Sequence, residues 1–172
     1  SWTQVPIADG IASTITAIEF SPDGTMLAVA YSAAPFLSVY DVATWTKKTI
    51  SGGAPAGSLI GISFSPDSSM LATICGTNTP RLAVYRTSDF AKLSGVPQPT
   101  SNGHAVAFSA DGTQLVVAHF ASPYISAYKV SGWSSVAITS GVLPGTPTAF
   151  SASPGANLLA VAHAGAPYAT IY

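Results

Sequence analysis

Charge is what this sequence has least of. Asp, Glu, Lys and Arg make up 8% of its 172 residues, against roughly 25% in an average soluble domain. Six Lys and Arg stand against seven Asp and Glu, for a net charge of −1. A chain that neutralises nucleic-acid phosphates needs a basic footprint, and none exists here, so nucleic acid is excluded as a partner. Attraction to an anionic membrane surface fails for the same reason. Membrane insertion is not expected either, because no apolar run approaches the roughly 20 residues of a spanning helix. The longest runs, such as Met26 to Tyr31, are strand-sized. With one cysteine, Cys75, there is no internal disulfide framework. The chain begins at Ser1 without a Met or a signal-like segment, as expected of a processed product or a piece of a larger polypeptide. A surface so poor in charge must be covered by Ser, Thr, Ala and Gly, which suits assemblies, secreted proteins and particles.

What the sequence has instead is a repeat. Leu27, Leu71, Leu115 and Leu159 lie 44 residues apart, as do Pro22, Pro66, Ala110 and Pro154. The tyrosines Tyr40, Tyr85, Tyr128 and Tyr172 follow at 45, 43 and 44, which places one extra residue in the second copy near Thr79 and Pro80. Within a copy the chemistry is that of strands and turns. Ile15 to Phe20 is rich in β-branched residues and alternates as a half-buried strand does. Ser21-Pro22-Asp23-Gly24 is a tight turn, with Pro presetting φ and Gly admitting a positive one. Leu27 to Tyr31 is a second strand. Ala33 to Pro35 turns the chain into a third, Phe36 to Tyr40. After Asp41 to Ala43 comes a fourth, Thr44 to Ile50. Four strands in about 44 residues make one blade of an all-β propeller of antiparallel four-stranded blades.

The ends extend the pattern. Ser1 to Ile7 is similar to Thr44 to Ile50, so residues 1–14 read as an isolated fourth strand. The chain closes at Tyr172, the end of a third strand. We therefore expect a single domain over 1–172, with repeats at 15–58, 59–103 and 104–145. A last repeat at 146–172 lacks its outer strand, which residues 1–14 complete, removing an exposed edge.

Phe20-Ser21-Pro22-Asp23-Gly24 with Leu27, Phe64-Ser65-Pro66-Asp67 with Leu71, and Phe108-Ser109-Ala110-Asp111-Gly112 with Leu115 resemble WD-type and YVTN-type propeller repeats. Leu115 to His119 with Ser122 to Tyr128, and Leu159 to His163 with Ala166 to Tyr172, are similar to repeats of bacteriophage virion proteins (tail, fibre or decoration components) and some bacterial surface proteins. The resemblance spans nearly the whole chain and implies a binding or structural module, not an enzyme. The chain departs from it in places. The Trp-Asp pair of WD repeats is replaced by Tyr40-Asp41, Tyr85-Arg86 and Tyr128-Lys129, and Gly-His occurs once, at Gly103-His104. The buried polar tetrad of WD blades is therefore not carried over. In the last repeat Phe150 stands where the others have Ile18, Ile62 and Val106. Ala152 holds the usual Phe position, a swap of two residues along one strand face. Three arrangements stay open: a four-bladed ring, two chains forming an eight-bladed ring, or a segment of a longer propeller.

No catalytic site is expected. Asp23, Asp67 and Asp111 recur in the first hairpin, where an aspartate caps its own turn. Paired acid–base chemistry would need two carboxylates converging in one cleft. His119 and His163 share a repeat position with Cys75 and Tyr31, and a propeller brings such positions round its axis. Metal bonds of roughly 2.0–2.3 Å are too short for residues on separate blades. Each therefore reads as a strand-end residue hydrogen-bonding the following turn, and no metal or cofactor is expected. Cys75 reads as a small core residue.

The binding candidates are aromatic. Phe36, Arg81, Tyr124 and Tyr168 fall at one repeat position in the turn between strands two and three. With Tyr31 and Phe120, and His119 and His163 alongside, they would form a ring on one face able to stack on sugars or anchor proteins. Packing between blades is the competing role for these rings. Trp45 and Trp133, with Trp2 by similarity, are expected to seal the outer strand against the next blade. The expected function is assembly by protein–protein contact in a virion or particle, including a homo-oligomer. Adhesion to host glycan or protein is the alternative, and the expected location is the virion or an extracellular surface.

Overall fold

The structure, a computed structural model, describes residues 13–138, 143–153 and 158–172. The expected closure by residues 1–14, and the role given to Trp2, lie outside these residues except at Ser13 and Thr14. Those two accept hydrogen bonds from the Ala33 and Ser32 amides of their own sheet.

The described residues form four antiparallel sheets and no helix. Sheet one contains β1 (Ile15–Phe20), β2 (Met26–Tyr31) and β3 (Leu37–Asp41). Sheet two contains β4 (Leu59–Phe64), β5 (Met70–Cys75) and β6 (Leu82–Arg86). Sheet three adds a fourth strand to β7 (Gly103–Phe108), β8 (Gln114–His119) and β9 (Ile125–Lys129), namely β10 (Ser135–Val136). Sheet four contains β11 (Pro147–Ala152), β12 (Leu159–His163) and β13 (Ala169–Ile171). Each sheet is a meander with the middle strand at its centre. Every first hairpin carries a register shift at its start, between Ile15 and Ala17 and at the equivalent points of the other three.

Two of the turns explain the repeat. In the first hairpin Ser21, Ser65 and Ser109 each donate their hydroxyl to the aspartate two residues on, at 2.6 Å. That aspartate accepts the amide two residues further along at 3.0 Å. The left-handed position after it is held by Gly24, Gly112 and, at φ 61°, by Ser68. Serine is strained there, but its Oγ accepts the Asp23 amide of the preceding sheet at 3.1 Å. Between the second and third strands each sheet has a cis X-Pro bond, at Pro35, Pro80, Pro123 and Pro167. The extra residue of the second copy lies in this loop, which spans 76–81 between β5 and β6 but 32–36 between β2 and β3.

The outer strand departs from expectation. In sheets one and two it shrinks to single bridges, Tyr40 with Lys47 and Tyr85 with Lys92. Trp45, Phe90 and Trp133 sit at left-handed φ of 55°, 51° and 51°, which turns the chain sharply just after the third strand.

Side chains alternate between two faces of each sheet. In sheet one, register puts Ile18, Phe20, Leu27, Val29 and Tyr40 on one face, and Ala28, Ala30, Leu37 and Val39 on the other. We call the first the leading face and the second the trailing face. The trailing face of sheet one packs on the leading face of sheet two, where Ile62, Phe64, Leu71 and Tyr85 meet it. Ala72, Ile74, Leu82 and Val84 of sheet two pack in the same way on Val106, Phe108, Leu115 and Tyr128 of sheet three. Ile125 of sheet three then meets Val161 of sheet four. Being sandwiched on both faces explains why β5 and β8, the middle strands of sheets two and three, are apolar along most of their length rather than alternating.

Candidate functional site

The first-hairpin aspartates hold turns together and do not converge on a cleft. Hydrogen bonds, first of all from Ser21, Ser65 and Ser109 respectively, keep the carboxyls of Asp23, Asp67 and Asp111 below the ordinary aspartate range.

The repeat position shared by Tyr31, Cys75, His119 and His163 is buried in all four sheets. His119 Nε2 lies 2.9 Å from Ser126 Oγ, and His163 Nε2 lies 2.9 Å from Thr170 Oγ1. Each histidine thus bonds across to the neighbouring third strand of its own sheet, and His119 also meets the main chain of Ala121 in the following turn. Burial lowers the pKa of His119, with the main chain at Ala121 and Ile125 opposing it. Cys75 Sγ is 3.7 Å from the Gly57 carbonyl, and burial pushes its thiol up. Among the described residues no three His, Cys, Asp or Glu side chains group as a metal site would require.

The aromatic positions do not make a continuous exposed ring. Tyr31 is buried within sheet one. Phe36 is half-buried against the junction of sheets one and two, and Tyr124 against that of sheets three and four. Arg81 is half-buried, its Nε donating to Asn102 Oδ1 at 3.4 Å. Exposure is left to Phe120, which meets His104 edge-on with ring centroids 5.2 Å apart, and to Tyr168. The tryptophans also pack differently from expectation. Trp133 joins the junction between its own sheet and the preceding one, and Trp45 packs on its own sheet beside Leu27 and Tyr40.

The feature that sequence reasoning missed lies at the two ends of the stack. Ile18 and Phe20 on the leading face of sheet one are 58% and 55% exposed. Their equivalents are covered, Ile62 and Phe64 at 8% and 4%, Val106 and Phe108 at 6% and 5%. At the other end Ile171, on the trailing face of sheet four, is 69% exposed, whereas Val39 and Val84 in the same position are at 0%. Tyr168 follows this rule too, exposed where Phe36 and Tyr124 are half-buried. So do Ile15 against Leu59, and Leu158 against Met26. Of the large apolar side chains exposed among the described residues, all but Phe120 belong to these two flanks. Toward the outer edge of sheet one the leading face is covered, with Leu27, Val29 and Tyr40 buried. The open part is thus a strip along β1. Strand-to-strand contact runs from β1 to β4 to β7 to β11, and no comparable contact joins sheet four to sheet one among the described residues.

The junction between sheets three and four is incompletely filled. A cavity of about 250 Å³ opens there, lined by Val116, Ile125, Ala127, Leu159 and Tyr172 and by Ala152, which stands in the repeat position of Phe64 and Phe108.

No protein-family model matches the chain, and no curated protein matches it by sequence. Solved structures do share its fold. U3-55K is similar with a TM-score of 0.73 at 14% identity, over 95% of this chain and 50% of that one. The RRP9 WD40 repeats are similar with a TM-score of 0.69 at 16% identity, over 93% and 50%. The computationally designed Ika4 protein has a TM-score of 0.77 at 15% identity, over 99% of this chain and 98% of that one. The fold is therefore that of a WD-type propeller, and the chain spans half the length of two of these three neighbours.

Proposed function

We propose that the chain is a non-enzymatic interaction module that works by protein–protein contact, as a structural part of a virion or comparable extracellular particle. The observation that carries this reading is the pair of exposed apolar flanks, since contiguous apolar surface on a folded protein marks a place where another protein sits. The WD-type fold and the scarcity of charge, which lowers the cost of burying the remaining surface, support it. Immunogold electron microscopy of particles from the native source tests the particle reading. Label at regular positions on tails, fibres or particle surfaces is the expected result, and label confined to free protein overturns it.

The exposure of Phe120 and Tyr168 favours one second reading, adhesion to host glycan or protein through these rings. It requires that binding to a glycan array or to cells be lost in Phe120→Ala combined with Tyr168→Ala. Unchanged binding in that double variant removes it.

A further inference from the structure

We propose that the chain's first partner is a second copy of itself: the trailing face of sheet four in each protomer seats on the leading face of sheet one in the other, closing a two-chain ring of eight sheets. The inference rests on the reading of the chain as an assembly module and names the surface and partner through which assembly begins.

Complementarity is the first argument. The two open flanks are the same two surface types that already meet at the junctions inside the stack. Ala28, Leu37 and Val39 cover Ile62 and Phe64 at one, and Ala72, Leu82 and Val84 cover Val106 and Phe108 at the next. By register the equivalent trailing residues of sheet four are Ala160, Ala169 and Ile171. The equivalent leading residues of sheet one are Ile18 and Phe20. The open β1 strip at one end of a chain is therefore of the type that the trailing face at the other end covers. The new junction repeats the part of that interface made by the first strand, since Leu27 and Tyr40, in the positions of Leu71 and Tyr85, are already buried.

Symmetry and size agree with this. A head-to-tail contact closes when a small number of copies completes the turn, and otherwise grows into a filament. Two propeller chains of matching fold are twice the length that this chain covers, so two copies supply the material of one such ring. The exposed parts of Ile15, Ile18, Phe20, Leu158, Tyr168 and Ile171 come to roughly 700 Å² per copy, or roughly 1,400 Å² over two junctions, within the range of stable interfaces. None of these six side chains is charged, so burying them leaves no unpaired ion.

Sedimentation equilibrium of the 172-residue chain tests the proposal. The expected mass is twice the 17.4 kDa of the chain, reached at micromolar concentration and not exceeded on raising it. A monomer throughout overturns the proposal, and so does a mass that keeps growing. Phe20→Asp at one end and Ile171→Asp at the other should each weaken the dimer at least tenfold, with Ile18→Lys and Tyr168→Asp as second variants. Phe120→Asp, off the flanks, should leave the mass unchanged. Mixing the Phe20→Asp and Ile171→Asp chains restores one native junction and should recover part of the dimer. Full dimerisation of Ile171→Asp alone would show the copies meeting head to head and would overturn the arrangement. A monomer that still decorates particles refutes the ring but not the module, and a dimer absent from particles does the reverse.

Discussion

Sheets two and four are copies of one unit, yet one is sealed and the other open. Sheet two has a neighbour on each face, and its middle strand is buried along nearly its whole length. Among the described residues sheet four has a neighbour on its leading face alone, and Ala160, Ala169 and Ile171 are exposed. The two sheets also differ in how they attach to the sheet before them. Phe64 fills the junction ahead of sheet two, where Ala152 leaves a cavity ahead of sheet four. Polar contacts follow the same gradient. The Phe108 amide donates to Ser63 Oγ at 3.4 Å across the second junction, whereas Ala107, in the position of Ser63, has no side-chain acceptor to offer Ala152. Burial in this fold belongs to the neighbour as much as to the residue, and the junction ahead of the last sheet is the one that a cavity leaves partly unfilled.

The largest test of that contrast compares one residue type at one repeat position. Phe64→Ala should cost about 3–5 kcal/mol, the usual loss for emptying a core aromatic. Phe20→Ala should cost within about 0.5 kcal/mol, as exposed positions do. Urea unfolding at concentrations low enough to suppress association measures both. Equal losses would mean that the leading face of sheet one is covered within a single chain, and the open stack would be wrong. A smaller effect of opposite sign is expected at the cavity. Ala152→Phe restores the residue that the other copies carry and should stabilise the chain by about 1 kcal/mol. A loss instead would show that Phe150, two residues away on the same face, already occupies that space, so that the added ring overpacks it.

Much of this fold was legible because its causes are local and repeated. The period of 44, the Ser-x-Asp turn and the extra residue between Cys75 and Leu82 each rest on residues that act within a few positions of themselves. The outer strands were not legible. Thr44 to Ile50 has the β-branched composition of a strand, but its pairing with the third strand is the single bridge of Lys47 to Tyr40, entered through left-handed Trp45. Composition reveals neither so short a pairing nor a positive φ at a tryptophan. The aromatic positions were legible as a set and not by environment. Tyr31 ends a strand that is covered throughout, while Tyr168 is exposed because no sheet among the described residues packs on that face of sheet four. Nothing in Ile18 distinguishes it from Ile62. The difference lies in what covers each residue, Ile62 facing sheet one and Ile18 facing no other sheet among the described residues, which a residue-by-residue reading cannot supply.

An effect confined to one side of neutral pH sharpens the comparison at the first junction. Glu19 lies on the trailing face of β1, in the repeat position of Ser63. Burial against sheet two pushes its carboxyl from the ordinary 4.5 up to about 7, with a hydrogen bond from the main chain of Phe64 pulling the other way. A raised carboxylate pKa sets the sign of the pH dependence. Below about pH 4.5 the group is neutral whether the chain is folded or not, and it costs nothing. As pH rises toward 7 the unfolded chain gives up this proton while the folded chain keeps it, so stability falls, and above 7 the loss is complete. Glu19 is still partly exposed, so solvent screening reduces the penalty to about 1–2 kcal/mol. Glu19→Gln keeps an acceptor for the Phe64 amide and removes the charge. It should therefore stabilise the chain by that amount at pH 8 and leave it unchanged at pH 4, as urea unfolding at the two pH values would measure. An equal gain at both would assign the effect to packing and leave the first junction no more polar than the second.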